Sequence, residues 1–218
     1  MHPLLPLTAG DRSSHTLAIG CFASLCRDRL AEPLVAFTTT HPDVAVGVHD
    51  MSLGELLPAV EARRIAIAIC PCEPVEELAH TNLWIDHAVV AMSRDHPLAV
   101  APSIHAALLR EEVLLISRDR NRAQLNRFLI ERLFASTPPA RIIADPRNDR
   151  LLERVSAGEG IALLCESQVD ASLAPLVVRP LADARASFRL RAHWHASDGA
   201  PPLDTLLDLL TASREPRN

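Results

Sequence analysis

Thr16-Leu17-Ala18-Ile19-Gly20, Val44-Ala45-Val46-Gly47-Val48 and Ile65-Ala66-Ile67-Ala68-Ile69 are three short apolar runs in the first third of the chain. Runs of this length, bounded by turn residues, read as buried strands. Between the first two, Cys26, Leu30, Leu34 and Phe37 recur at helical spacing. Ser24 stands where an N-cap is expected, Pro33 is expected to bend the helix, and His41-Pro42 ends it. After a loop at His49-Asp50-Met51-Ser52, the residues Leu53, Leu56, Leu57 and Val60 make a second helical stripe. The third run is apolar throughout and reads as buried on both faces. Strand and helix alternate, and right-handed crossovers then make the sheet parallel.

A second unit of the same kind starts near Arg94. Its strands read at Val113-Leu114-Leu115-Ile116, Arg141-Ile142-Ile143-Ala144 and Ile161-Ala162-Leu163-Leu164. Its helices read at residues 122–134 and 149–157, the latter stopped by Gly158. One more strand is expected at 188–195 and a closing helix at 203–211. Two halves of similar size, without a long linker, give an α/β chain of two Rossmann-like lobes hinged on crossing strands.

The chain has 218 residues, 48% hydrophobic and 22% charged, as an ordinary globular chain does. Its 22 basic side chains, all Arg, face 27 acidic ones, for a net charge of −5. That sign argues against nucleic-acid binding by this chain alone, which depends on clustered positive charge. The absence of Lys removes ε-amine Schiff-base chemistry and the Walker-type phosphate Lys. No apolar run approaches the ~20 residues that span a bilayer, and residues 1–10 lack the basic flank of a secretory signal. Five Cys make an odd number in a chain too large for a disulfide scaffold. The expected compartment is the cytoplasm.

The pattern Leu17-Ala18-Ile19-Gly20, Leu34 to Phe37 and His41-Pro42-Asp43-Val44 resembles the start of the effector-binding domain of LysR-type transcriptional regulators. Arg94-Asp95-His96-Pro97-Leu98-Ala99 is similar to the family's His-Pro-Leu segment near the lobe junction. Val155-Ser156-Ala157-Gly158-Glu159-Gly160-Ile161-Ala162-Leu163-Leu164 is similar to its late helix-Gly-x-Gly-strand segment. The resemblance covers residues 15–213. It implies the type-2 periplasmic-binding-protein fold, with lobe I at residues 16–91 plus 192–214 and lobe II at residues 93–190. It also implies a small-molecule effector in a central ligand cleft and side-by-side homodimers. DNA would be contacted only through an N-terminal winged helix-turn-helix, absent from these residues, and residues 1–15 read as a remnant of the linker to it. Two departures stand out. Arg63-Arg64-Ile65-Ala66 lacks the family's Gly and Asp before the third strand, and Cys165 stands where the family often has Pro.

Ligands of open parallel sheets sit outside the carboxyl ends of the strands, where helix N-termini also point. In lobe I those ends carry Cys21, Phe22, Ser24, His49, Met51, Ser52 and Cys70; in lobe II they carry Ser117, Arg118, Asp145, Arg147, Asn148 and Cys165. A carboxylate at Ser24 would gain roughly 0.3–1 kcal/mol from free amides and the helix dipole, with Arg118 or Arg147 as a bidentate partner. The resemblance also puts an effector contact on Ser24. An anionic metabolite between the lobes is therefore the expected ligand.

The cysteines open a second reading. Cys21, Cys70 and Cys165 each stand at a strand end, Cys72 lies two beyond Cys70, and His49 stands at another such end. Converging thiols and an imidazole would suit a soft metal or an oxidant. Buried Cys also packs as a small hydrophobe, and Cys-Pro-Cys is not the usual metal spacing, so no metal or cofactor is assigned. His193-Trp194-His195 reads as a crossing strand with both imidazoles on one partly exposed face. There is no Gly-x-Ser-x-Gly, no His-Glu-x-x-His and no Gly-rich nucleotide fingerprint, so no catalytic residue is nominated and the chain is not read as an enzyme. A free-standing solute-binding protein on the same fold is the remaining alternative.

Overall fold

Phe22 decides where the first crossover begins. In the computed structural model, which describes residues 16–135, 137–145, 150–198 and 201–212, this side chain is fully buried. Its amide donates to the Ile69 carbonyl at 3.3 Å. The chain therefore turns straight out of β1 (Thr16–Cys21) into α1 (Ala23–Thr40). Phe22 is the N-cap, in an extended conformation and without a side-chain cap bond. Ser24, expected as the cap, is instead the second residue of the helix. α1 runs on through Pro33 and ends at His41.

β2 (Ala45–Asp50) and β3 (Ile67–Cys70) flank β1, both parallel to it, with α2 (Leu53–Glu61) between them in sequence. β2 runs two residues further than the sequence pattern implies. His49 and Asp50 pair with Gly20 and Cys21, so the loop shrinks to Met51 and Ser52. β3 is buried at every position, as a strand covered on both faces must be.

β4 (Ala79–Met92) joins the two halves. Residues 79–87 pair antiparallel with β9 (Ser187–Trp194), and β9 in turn pairs with β3. Residues 88–92 pair instead with β7 (Ala162–Cys165) on one edge and β8 (Val177–Pro180) on the other. The first sheet is thus β2-β1-β3-β9-β4, and the second begins on the far half of the same strand. β5 (Val113–Ser117) and β6 (Arg141–Asp145) pair in parallel. Amide bonds of 2.9 Å from Leu115 to Ile161 and from Ile161 to Val113 tie β5 to the start of β7. α3 (Arg120–Phe134) follows β5, α4 (Leu151–Ser156) follows β6, and α5 (Pro201–Ala212) packs back on α1.

Neither β4 nor β8 is visible in the apolar pattern. β4 carries an irregularity between Asn82 and Trp84. Exposure falls on His80 and Asn82 before it and on Ile85 and His87 after it, so the period of two changes phase in mid-strand. β9 also departs from expectation. It ends at Trp194, His193 is fully buried, and His195 lies beyond the strand against Ser197 Oγ at 3.3 Å. The segment ahead of β3, where the family often has Gly, holds Arg63 at φ 54°. No described helix is long and apolar enough to cross a membrane. Residues 1–15, read as linker, lie outside the described residues.

Helix α3 is followed by Ala135 at φ 47°, a left-handed conformation in which an exposed alanine gains nothing from its methyl group. Glycine adopts it without the Cβ clash. Ala135→Gly is expected to stabilise the domain by about 1 kcal/mol, read as a rise of roughly 2–4 °C in Tm.

Candidate functional site

The sequence-predicted residues assemble in two groups. In the first, Cys21, Phe22 and Cys70 are packed in the core, and Met51 donates its amide to the Cys21 carbonyl at 3.0 Å. Ser52 caps α2, its hydroxyl bonding Glu55 while Glu55 accepts the Ser52 amide at 3.2 Å. The second group lies at the ends of β5 and β6, where Ser117 and Asp145 are paired across the ladder. Ser117 is buried and its Oγ accepts the Asp119 amide at 3.0 Å; Arg118 is exposed. The side chains of Ser24 and Asp145, and all of Arg147, lie outside the described residues. The two groups meet where Gln124 of α3 accepts the Leu53 amide at 3.1 Å. A side-chain carbonyl from one lobe thus takes a free amide at a helix start in the other.

A cavity of about 930 Å³ opens elsewhere, at the lobe junction. Arg29 of α1 lines it from one lobe, and Glu166 and Ser167, just past β7, line it from the other. Residues 81–85 and His87 of β4 and Arg189 of β9 form the remainder. None of the sequence-predicted site residues is among these.

Behind the cavity wall, between the lining residues Ile85 and His87, lies a buried carboxylate. Asp86 is 1% exposed and accepts from the Ser167 hydroxyl, the Ser167 amide at 3.3 Å and the His87 amide at 2.8 Å. His87 also meets Glu166 at 3.1 Å, an exposed pair that screening leaves weak. The Arg29 guanidinium lies 5.6 Å from the centre of the Trp84 ring, within cation–π range. The buried Trp84 indole nitrogen has no hydrogen-bond partner among the described residues. Neither Arg29 nor Arg189 has a carboxylate partner among the described residues. The signal in the sequence for this site is Asp86, an acid two residues after Trp84 and just ahead of the apolar run 88–92.

The thiols divide in two kinds. Burial pushes Cys26 and Cys165 well up, assisted by Cys21 for the first and Asp86 for the second. Such thiols are inert. Cys70 and Cys72 interact directly: the contact holds Cys70 protonated and lowers the pKa of Cys72. Among the described residues, no three His, Cys, Asp or Glu side chains are placed to hold a metal ion.

Two α/β lobes joined by shared antiparallel strands, with a polar cavity at the joint, define a ligand-responsive binding domain of the type-2 periplasmic-binding-protein fold. The chain belongs to the LysR substrate binding domain family, whose model matches residues 10–214. Among solved structures, the effector binding domain of a BenM variant is 20% identical with a TM-score of 0.73, over 91% of this chain and 94% of that one. Full-length BenM gives a TM-score of 0.78 at 20% identity, covering 93% of this chain and 70% of that one. A reduced form of OxyR from N. meningitidis gives 0.72 at 13% identity, covering 91% and 95%. These identities carry the fold alone. No curated protein matches the chain in sequence.

Two substitutions probe the junction. Asp86→Ala strands the Ser167 donors and is expected to destabilise by about 2–3 kcal/mol, against about 1 for Ser167→Ala, both measured by urea unfolding. His193 is buried against His80, and burial lowers its pKa to about 4. The unfolded chain takes up a proton near pH 6.5 that the folded one refuses. This contribution is therefore complete above pH 6.5 and is lost as pH falls toward 4, by roughly 3 kcal/mol in all. His193→Gln is expected to flatten the fall in urea midpoint between pH 7 and pH 5.

Proposed function

We propose that the domain senses an anionic small molecule held in the junction cavity, and that binding resets the two lobes relative to each other. One observation carries the reading. The cavity is walled by both lobes and both crossing strands and holds two guanidinium groups that have no carboxylate partner among the described residues. A carboxylate placed between Arg29 and Arg189 would gain charge-assisted, bidentate hydrogen bonds. An occupant touching parts that move against one another binds one arrangement better than the other, which is the requirement for shifting the equilibrium.

Ser24, in the first turn of α1, is retained as a contact from lobe I. Arg118, just past the end of β5, is kept as a further candidate contact, and Asp145 ends β6; Arg147 lies outside the described residues. Cys21, Phe22, Met51, Ser52, Cys70 and Ser117 do not line the junction cavity. As the sensing part of a LysR-type regulator, the domain would act in the cytoplasm as a homodimer or higher homo-oligomer. DNA would be held by a winged helix-turn-helix outside these residues, and the effector would leave unchanged.

The test is thermal denaturation with a panel of mono- and dicarboxylates. A ligand at one hundred times its Kd adds about 2.7 kcal/mol, a rise of roughly 5–10 °C for a domain of this size. Arg29→Ala and Arg189→Ala are each expected to reduce that rise by more than half, with Arg118→Ala leaving it nearly intact. Loss in Arg118→Ala alone would move the site to the mouth of β5 and α3. A rise unchanged in all three would contradict the anion reading.

A further inference from the structure

Gln124 of α3 reaches across from lobe II and accepts the Leu53 amide at 3.1 Å. Leu53 is the first residue of α2 in lobe I, so this amide has no partner within its own helix. Ser52 and Glu55 bond one another at the same helix start and leave Leu53 to the other lobe. Further ties between the lobes gather elsewhere, where β4 changes partner. His87 is the last residue paired with β9 and Ala88 the first paired with β7. There Asp86 holds Ser167, His87 meets Glu166, and Arg132 of α3 donates to the Ser187 carbonyl, opposite His87, at 2.7 Å. The Gln124 bond stands apart from this corner. Leu53 follows the joined ends of β1 and β2, the third and fourth strands out from β4 in the sheet order. At the usual strand spacing that is roughly 14–19 Å away.

We propose that the Gln124–Leu53 bond is a latch that sets the relative orientation of the lobes, with the Asp86–Ser167 corner as its pivot. A turn of roughly 10° about β4 leaves the corner nearly in place but carries the start of α2 by roughly 2–3 Å, enough to break a hydrogen bond. The two ties differ in strength in the sense that a switch requires. Those of Asp86 are buried and charge-assisted, so breaking them strands a charge. The latch joins two neutral groups on half-buried residues, and water takes over the freed amide when it opens. Its loss is therefore cheap, and its presence biases the two arrangements by about fivefold. The inference does not depend on where the effector sits or what it is. Any ligand that prefers another arrangement binds against this bias, and one that prefers the latched arrangement binds with it.

The test combines residual dipolar couplings of the isotope-labelled whole chain, without added ligand, with amide hydrogen exchange at Leu53. One alignment tensor is expected to fit both lobes of the unaltered chain. Gln124→Met keeps the length of the side chain and removes the acceptor. It is expected to speed exchange at Leu53 by about fivefold and to separate the tensors of the two lobes, while each lobe still fits on its own. Gln124→Glu keeps an acceptor and is expected to restore both readings. Leu53→Pro removes the donor from the other side. Proline suits the first position of a helix, and Ser52 before it is already extended, at φ −71° and ψ 151°. This variant is expected to separate the tensors as Gln124→Met does, and the double variant to go no further than either single. Unchanged exchange at Leu53 in Gln124→Met, or one tensor that fits every variant, would overturn the proposal. So would a double variant displaced well beyond both singles, or a Gln124→Glu chain that stays separated.

Discussion

One strand belongs to two sheets, and the rest of the architecture follows from that. β4 gives its first nine residues to β9 and its last five to β7 and β8. Backbone amides and carbonyls in a buried sheet must be paired, so the position of β4 in one sheet fixes its position in the other. Val90, Ala91 and Met92 are fully buried at the far end, and Leu83 and Trp84 nearly so at the near end. Both ends of β4 are thus anchored in buried sheet.

The same constraint explains why the polar groups gather where they do. β7 pairs with β4 only along residues 88–91. The chain beyond it turns away at Glu166, and Asp86 bonds Ser167 there instead of continuing the ladder. A carboxylate buried this deeply is tolerated because three donors satisfy it. The edge of β4 beside it lines the cavity, with Arg29 reaching over Trp84 from α1 and Arg189 coming from the paired strand. Across the interlobe space Gln124 holds the first amide of α2, a direct tie between lobes that any closing or opening motion must keep or exchange.

Much of this fold was legible in the residues. The three apolar runs of the first lobe, their parallel order, the α3 stripe and the stop at Gly158, which sits at φ 77°, all follow from periodicity and turn chemistry. β4 was not legible, because its irregularity shifts the alternation and Asp86 reads as a surface residue. The site suffered more. Sheet logic leads to the carboxyl ends of strands and so to Cys21, Cys70 and Ser117, but those side chains are consumed by packing and local hydrogen bonds. Arg29, Trp84, Ser167 and Arg189 come together only through the antiparallel crossing, which brings positions far apart in sequence to one wall. No local spacing records that meeting. Ser24 illustrates the finer limit: its residue type suits a cap, yet the burial of Phe22 starts the helix one residue before it.

The central claim is that the effector occupies the junction between the lobes. A crystal structure of the domain, grown with the carboxylate that most raises its melting temperature, tests it most directly. The account predicts ligand density bounded by Arg29, Trp84, Ser167 and Arg189, with the carboxylate within hydrogen-bonding distance of at least one of the two guanidinium groups. Density confined to the outer rim at Ser24 and Arg118, or on a surface touched by only one lobe, would contradict it.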